Sequence, residues 1–158
     1  MTVALRPALP SDEGFLRSLI LDTVTGELGA SAWPEPMRTH LLGVQYTARR
    51  HSRRVDFPEA ASQVIQADGG DAGWILVNTM PHEVRLVEIM VAPELRGRGI
   101  GTAVIHGLLA DAGAAGKPVR LHVNVTNQGA IRLYGRLGFR RIDGNEVQHL
   151  MEALSGQE

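Results

Sequence analysis

The feature that most constrains the fold is a glycine-rich turn between an apolar strand and an apolar helix. The strand is expected over Val84 to Val91, the turn is RGRGIG at 96–101, and the helix carries an apolar stripe from Val104 to Ala112. A further strand, Val119 to Val125, follows the helix. A strand, helix and strand in this order make a right-handed crossover. The two strands should therefore be parallel neighbours, with a ligand at their carboxyl ends.

The rest of the chain predicts strands and helices in mixed order. Strands are expected at Thr2–Leu9, Ser62–Ala67, Ala72–Thr79, Phe139–Ile142 and Val147–Leu154, with a hairpin turn at Asp68–Asp71. Further helices are expected through Phe15–Ile20 with Ser11 or Asp12 as the cap, from Met37 past Tyr46 to before Phe57, and from near Gln128 to Gly138. This order indicates an α/β fold, read as one domain over residues 1–158.

Composition excludes several classes of protein. The formal net charge of −1 gives no reason to expect nucleic acid or an anionic membrane as a partner. No apolar run approaches the roughly 20 residues of a membrane span, and the N-terminus lacks a signal-peptide layout, so we expect a cytoplasmic protein. The chain has no cysteine, which excludes a cysteine-bound acyl intermediate. Its histidines show no metal-binding spacing, and no metal is expected.

The glycine-rich turn has the chemistry of an anion site. Backbone N–H groups and the positive end of the helix dipole meet there, and the side chains of Arg96 and Arg98 can add charge-assisted contacts. The turn lacks the lysine of a Walker A motif, and Thr102 stands where a dinucleotide-binding motif has its third glycine. Triphosphate and NAD sites are therefore disfavoured. A tight strand-to-helix connection without a ligand is the alternative.

Two motifs in sequence resemble signatures of the GNAT N-acetyltransferase superfamily. VEIMVAPELRGRGIGTAVI is similar to its acetyl-CoA-binding signature, in which Arg or Gln is followed at fixed spacing by two small residues, here Arg96, Gly99 and Gly101. NQGAIRLYGRLGF resembles a second family pattern, matched by Asn127, Ala130, Tyr134, Gly138 and Phe139. The likeness is strongest from 84 to 139, and the N-terminal part is similar to bacterial members of uncertain substrate.

The resemblance implies a twisted, splayed mixed sheet of about six or seven strands, flanked by about four helices. It also implies acetyl-CoA as the acetyl donor. The CoA pyrophosphate is then expected on the loop made by Arg96, Gly97, Arg98, Gly99, Ile100, Gly101 and Thr102. Main chain at Met90 and Val91 is expected to pair with the pantetheine arm, and the N–H near Val91 to face the developing oxyanion. Asn127 and Arg136 are further cofactor contacts.

Acetyl transfer to an amine needs a proton acceptor for the amine and a proton donor for the thiolate. Glu88 interrupts an apolar strand and is the candidate base, with a structural ion pair to Arg85 or Arg120 as the alternative. His122, on the polar side of its strand, is a second candidate. Tyr134 matches the family's proton donor, since a phenol pKa near 10 is comparable with that of a thiol. Its helical spacing alone favours a core aromatic.

The acceptor side is less constrained by the sequence. The basic run Arg49, Arg50, His51, Arg53 and Arg54 can recognise a carboxylate on the acceptor or the 3′-phosphate of CoA, but a solvated helix face is the favoured interpretation. The remaining candidates for acceptor contact are Trp33, Gln45, Tyr46 and His122; for the first three, packing is the alternative explanation.

We predict an acetyl-CoA-dependent N-acetyltransferase that acts directly on an amine of a small molecule or peptide. The alternative is a non-catalytic acyl-CoA-binding regulatory module. A nucleotide-binding switch is disfavoured by the missing P-loop lysine. A homodimer is an expectation from the family alone.

Overall fold

The computed structural model describes residues 1–154. Its strands are β1 (Val3–Pro7), β2 (Ala61–Ala67), β3 (Gly70–Thr79), β4 (Val84–Val91), β5 (Val119–Asn124), β6 (Arg140–Gly144) and β7 (Gln148–Ala153). Its α-helices are α1 (Glu13–Leu28), α2 (Met37–Asp56), α3 (Ile100–Ala114) and α4 (Gln128–Arg136). The strands form one sheet in the order β1-β2-β3-β4-β5-β7-β6. The expected mixed α/β fold is confirmed.

Helix α1 is longer than its apolar pattern predicted. It continues to Leu28 and ends at Gly29, which has a φ of 61°. Glycine adopts this left-handed conformation without steric cost, so it terminates the helix where the sequence pattern had already faded. None of the helices described between residues 1 and 154 combines the length and apolarity needed to cross a membrane.

Strands β4 and β5 are parallel, as the crossover predicts, but they pair over a short distance. Their register consists of Val84 with Val119 and Arg85 with Arg120. Beyond these pairs the two strands diverge, although both continue for several residues. The sheet therefore splays open on the carboxyl side of the paired segment, beside the expected ligand loop.

A β-bulge lies in β4 at the start of this divergence. Leu76 of β3 pairs with Glu88, whereas the adjacent Val77 pairs with Leu86, so Val87 is an extra residue in β4. A bulge bends its strand and changes the face to which the following side chains point. Accordingly, Leu86 packs in the core beneath α3, whereas Val87 and Met90 pack in the core beneath α1 and α2.

The sheet is buried between two apolar layers. Ile105 of α3 and Leu121 of β5 belong to the layer on one face, and Leu16 of α1 and Trp74 of β3 belong to the layer on the other. Gly73 permits the close approach of β3 and β4, because a Cβ atom there would lie 2.2 Å from the Met90 carbonyl oxygen. These layers hold the splayed strands in fixed positions.

Candidate active site

A cavity of about 470 Å³ occupies the gap between the diverging ends of β4 and β5. Its walls come from both faces of the sheet. Arg49 and Arg53 of α2 contribute from one face, and Ala130 and Tyr134 of α4 contribute from the other. Two reactants that approach from opposite faces can therefore meet between the strands.

Glu88 lies on the α2 side of this cavity with its side chain only 4% exposed. Its Oε1 accepts hydrogen bonds from Arg49 Nη2 at 3.0 Å, Arg53 Nε at 3.1 Å and Arg53 Nη2 at 2.8 Å. Its Oε2 accepts one from Arg49 Nε at 3.2 Å. Arg49 also contacts Glu27 of α1 at 2.9 Å. The carboxylate is thus buried with two counter-charges, as a buried charge requires.

The ion-pair partners expected for Glu88 were wrong. Arg85 pairs with Glu83 at 3.0 Å. Arg120 pairs with Glu152 at 2.8 Å and with Glu83 at 3.4 Å. Arg85 and Arg120 are thus occupied by Glu83 and Glu152, whereas the bulge in β4 directs Glu88 towards Arg49 and Arg53 of α2.

The solvated-face interpretation of the basic run was wrong for three of its arginines. Arg49 and Arg53 are one helical turn apart and both reach Glu88. Arg50 pairs with Glu13 at 2.7 Å, and its guanidinium lies 5.5 Å from the centre of the Trp74 ring. His51 and Arg54 are exposed, as expected. The signal in the sequence was an isolated carboxylate in an apolar strand, which needs counter-charges from elsewhere in the chain.

His122 of β5 is exposed and also lines the cavity. Its Nδ1 lies 3.3 Å from Arg85 Nη1. Because a guanidinium only donates, Nδ1 must accept this hydrogen bond, and the ring proton of a neutral imidazole then sits on Nε2. Partial burial and the charge of Arg85 lower the pKa of His122, opposed by Glu83. The imidazole is therefore neutral at neutral pH.

Tyr134 both packs against a core aromatic residue and borders the cavity. Its ring packs at a tilt against Phe139, with 5.6 Å between ring centroids, and it also lines the cavity. Burial, with a smaller contribution from the negative charge of Glu88, raises the pKa of Tyr134 to about 12. This value is above the ordinary phenol value used in the sequence argument. The phenol is consequently protonated throughout the neutral range.

The glycine-rich loop leads from the β4 side of the cavity into α3. Gly97 and Gly99 have φ values of 77° and 83°. A Cβ atom on either residue would meet no heavy atom of residues 1–154 within 4 Å, so the main chain borders open space. Helix α3 begins at Ile100, and the N–H groups of a first helical turn have no intrahelical acceptors. The loop therefore suits the pyrophosphate of CoA in both space and charge.

The main chain of β4 offers hydrogen-bonding groups to the gap. The Ala92 N–H donates to Ala72 O on the β3 side at 2.8 Å. Because peptide groups alternate in direction along a strand, the N–H and C=O of Val91 and Ile89 face the gap, whereas those of Met90 face β3. The strand pairing expected for Met90 and Val91 is thus available at Val91 and Ile89. Met90 contributes other atoms to the cavity wall.

The comparisons with known proteins agree with this geometry. A family model described as "Acetyltransferase (GNAT) family" matches residues 27–139. This chain belongs to the GNAT family. An uncharacterised N-acetyltransferase of Methanocaldococcus jannaschii is 44% identical over 70 residues, which are 44% of the GNAT chain and 31% of that protein. Mycothiol acetyltransferase of Actinosynnema mirum is 35% identical over 99 residues, 61% of this chain and 33% of that one.

The matched segments thus span about a third of the length of these curated relatives. Among solved structures, the PaiA N-acetyltransferase of Thermoplasma acidophilum in complex with coenzyme A superimposes on the GNAT chain with a TM-score of 0.73. The match covers 98% of this chain and 99% of that chain, at 18% sequence identity. At this identity the likeness establishes the shared fold.

Two arginines of the GNAT loop have protein partners. Arg96 Nη2 contacts Asp22 Oδ2 of α1 at 2.6 Å, and Arg96 Nε donates to Val91 O at 3.0 Å. Arg98 is exposed, with one long contact of 3.5 Å to Glu94 O. The side chain of Arg96 therefore connects the loop to α1.

Of the other residues predicted to contact the cofactor or the acceptor, some line the cavity and others lie outside it. Asn127 lines the cavity, and its Oδ1 also caps α4 by accepting from Ala130 N at 3.2 Å. Arg136 is exposed at the end of α4, outside the cavity lining. Gln45 is exposed, and Trp33 packs against the α1–α2 core.

Tyr46 also lies outside the cavity lining, with Arg17 over its ring at 4.7 Å from the centroid. Sequence reasoning missed several cavity residues: Thr23, Glu27, Asp56, Phe57 and Gln148. They come from the ends of α1 and α2 and from β7, which no local motif connects to the cavity.

Proposed function

We propose that this GNAT protein transfers the acetyl group of acetyl-CoA directly to an amine of a small molecule or peptide, with residues 1–158 acting as one domain. The observation that carries the proposal is the cavity through the sheet. It has a protonated phenol, Tyr134, on one face and a paired carboxylate, Glu88, on the other. That separation suits a reaction in which a thioester and an amine enter from opposite sides.

The donor side of the site is built from main chain. In the proposal, N–H groups from Gly97 to Thr102 hold the CoA pyrophosphate. The pantetheine amides lie along the gap-facing peptide groups of Ile89 and Val91, as an added strand does. Arg96 Nε already donates to the Val91 carbonyl. The Val91 N–H can donate to the acetyl oxygen as it becomes negative.

The transfer forms a C–N bond and breaks a C–S bond, while one proton leaves the amine and one reaches the thiolate. Tyr134 keeps its proton because its pKa is raised to about 12. An ordinary thiol has a pKa of about 8.5, so complete proton transfer from the phenol is uphill. We therefore assign Tyr134 mainly a hydrogen bond to the departing sulfur, which leaves as a thiolate and takes its proton from water.

Glu88 is the proposed proton acceptor, and it acts through water. Its Oε1 accepts three guanidinium N–H groups, whereas Oε2 accepts one and retains a free lone pair. A water on Oε2 can carry the proton away from the amine. His122 fits this role less well, since its Nδ1 lone pair is taken by Arg85 and its Nε2 is a donor. We assign His122 to orienting the water or the amine.

The first test is acetyl-CoA titration by calorimetry on the wild type, Gly99→Glu, Gly99→Asn and Gly43→Glu. Asn tolerates the left-handed conformation of Gly99, so it separates backbone strain from added negative charge. Gly43→Glu adds the same charge on α2, where a Cβ atom meets nothing within 4 Å. We expect Gly99→Glu to weaken binding by about 100-fold or more, and both other variants to bind within a few-fold of the wild type.

The second test is release of free CoA thiol in the presence of a panel of primary amines. Amine-dependent release supports the enzyme. Tight acetyl-CoA binding without release from any amine instead favours the non-catalytic acyl-CoA-binding module. Failure of the wild type to bind acetyl-CoA would contradict both.

A further inference from the structure

A second cavity, of about 770 Å³, lies beside the first on the α2 face of the sheet. It runs between the β1–α1 connection and the C-terminal half of α2. Three arginines line it, Arg50, Arg53 and Arg54, together with apolar surface from Leu9 and Phe57. We call this cavity the basic cleft.

The basic cleft adjoins the cavity between β4 and β5. Arg53 and Phe57 line both spaces, so these two side chains form the wall between them. Arg53 contacts Glu88 at 2.8 Å, and its side chain is 32% exposed. A molecule that extends past Arg53 can occupy the cleft with one end and reach Glu88 with the other.

Positive charge in the cleft exceeds the negative charge available to it. Of the three arginines that line the cleft, Arg53 pairs with Glu88 of the neighbouring cavity, and Arg50 pairs with Glu13, whose side chain is 50% exposed. Arg54 makes no ion pair with any residue from 1 to 154. The site is thus electrostatically prepared for an anion.

Arg50 carries a second, independent sign of a missing partner. Its Nη2 reaches Glu13, but its Nε is enclosed and has no hydrogen-bond acceptor among residues 1–154. Most buried polar atoms in proteins are hydrogen-bonded, and an unpaired one is costly. A small turn of the guanidinium towards the cleft would let a ligand oxygen pair with it.

We infer that the basic cleft binds a carboxylate on the acceptor, so the preferred substrate is an amine that also carries a carboxylate and an apolar group, as an amino acid does. The inference rests on the proposed acetyl transfer. A carboxylate is planar and accepts two parallel N–H groups from one guanidinium, which matches arginine better than any other side chain. The apolar walls at Leu9 and Phe57 suit the substituent of such an acceptor.

The inference is tested by binding of a matched pair of products, which does not depend on turnover. N-acetyl-L-phenylalanine and its neutral amide are titrated by calorimetry into the protein saturated with CoA. They have the same size and differ in charge. We expect the acid to bind at least about 10-fold more tightly than the amide, and Arg54→Gln and Arg50→Gln each to remove most of that preference.

Arg140→Gln is the matched control, because Arg140 is exposed on β6 and makes no ion pair in the described part of the chain. It should leave the preference unchanged. Arg50 packs on Trp74, so its substitution can also disturb the fold; Arg54 is exposed, and its variant keeps the test decisive. Equal binding of acid and amide by the wild type, or a preference that survives both cleft substitutions, overturns the inference.

A CoA-release assay with phenylalanine and phenethylamine separates this inference from the proposed function. Release that is as fast with phenethylamine as with phenylalanine supports acetyl transfer and overturns the carboxylate preference. A carboxylate preference in product binding, combined with no release from any amine, supports the cleft and overturns the transfer reaction.

Discussion

The two sides of the central cavity are built in different ways. The α3–α4 side uses main-chain N–H groups, glycines and one aromatic side chain, all within residues 89–139. The α1–α2 side uses charged side chains from distant segments, such as Arg49 on Glu88 across 39 positions of sequence. A binding site made of main-chain groups can be formed by one short segment of sequence. A charge network requires the complete fold, because its side chains come from distant segments. In the proposed function, the first side binds the common donor and the second binds a particular acceptor.

Gly99→Glu should impair donor binding and Glu88→Gln should impair turnover, each without the other. These are the largest effects that we expect. Glu88→Gln should lower kcat by about 100-fold or more, because general-base catalysis contributes that much, while acetyl-CoA affinity changes little. Gly99→Glu should weaken acetyl-CoA binding by about 100-fold or more. Steady-state kinetics and calorimetry on both variants measure this. If the Glu88→Gln variant has the kcat of the wild type, the role of Glu88 is purely structural.

The charge network should also be the more fragile side. Arg49→Met leaves Glu88 buried with one guanidinium, and breaking a buried pair typically costs about 3–5 kcal/mol. Because Arg53 still pairs with Glu88, we expect a smaller loss, of about 2 kcal/mol in the free energy of unfolding. Urea denaturation measures this loss. The double variant Arg49→Met with Glu88→Leu should recover part of this loss. If the double variant recovers none of the lost free energy of unfolding, Arg49 stabilises the fold through Glu27 or through packing instead.

Tyr134→Phe probes the donor side, with an intermediate effect. We expect kcat to fall about 10-fold to 100-fold, because the hydrogen bond to the leaving sulfur is lost. In the wild type the pKa of Tyr134 is raised to about 12 from 10.0, so the phenol should cause no loss of rate between pH 8 and 10. A pH–rate profile measures this. A decline near pH 10 that Tyr134→Phe removes would show that the phenol titrates normally.

The contrast between the two sides also explains what the sequence could predict. The loop, α3 and the parallel β4–β5 pair followed from local patterns, because glycine spacing and helical periodicity act over a few residues. The partners of Glu88 did not, since they depend on a one-residue bulge at Val87 that reverses the face of a strand. Trp33, Gln45 and Tyr46 were taken from the family's general layout, whereas the α2 residues that line the cavity are Arg49, Arg53 and Asp56.

The smallest effect should come from the ion pair that joins the two sides, Asp22 on α1 with Arg96 in the loop. Both side chains are substantially exposed, at 38% and 51%, and exposed pairs contribute at most about 1 kcal/mol. Asp22→Asn should therefore change acetyl-CoA affinity less than about 3-fold at low salt, and not at all at high salt, where such pairs are screened. Calorimetry at two salt concentrations, with Asp22→Glu as the conservative control, measures this. A loss of 10-fold or more that Asp22→Glu restores would mean that α1 positions the pyrophosphate loop, and the two sides would then be energetically coupled rather than independent.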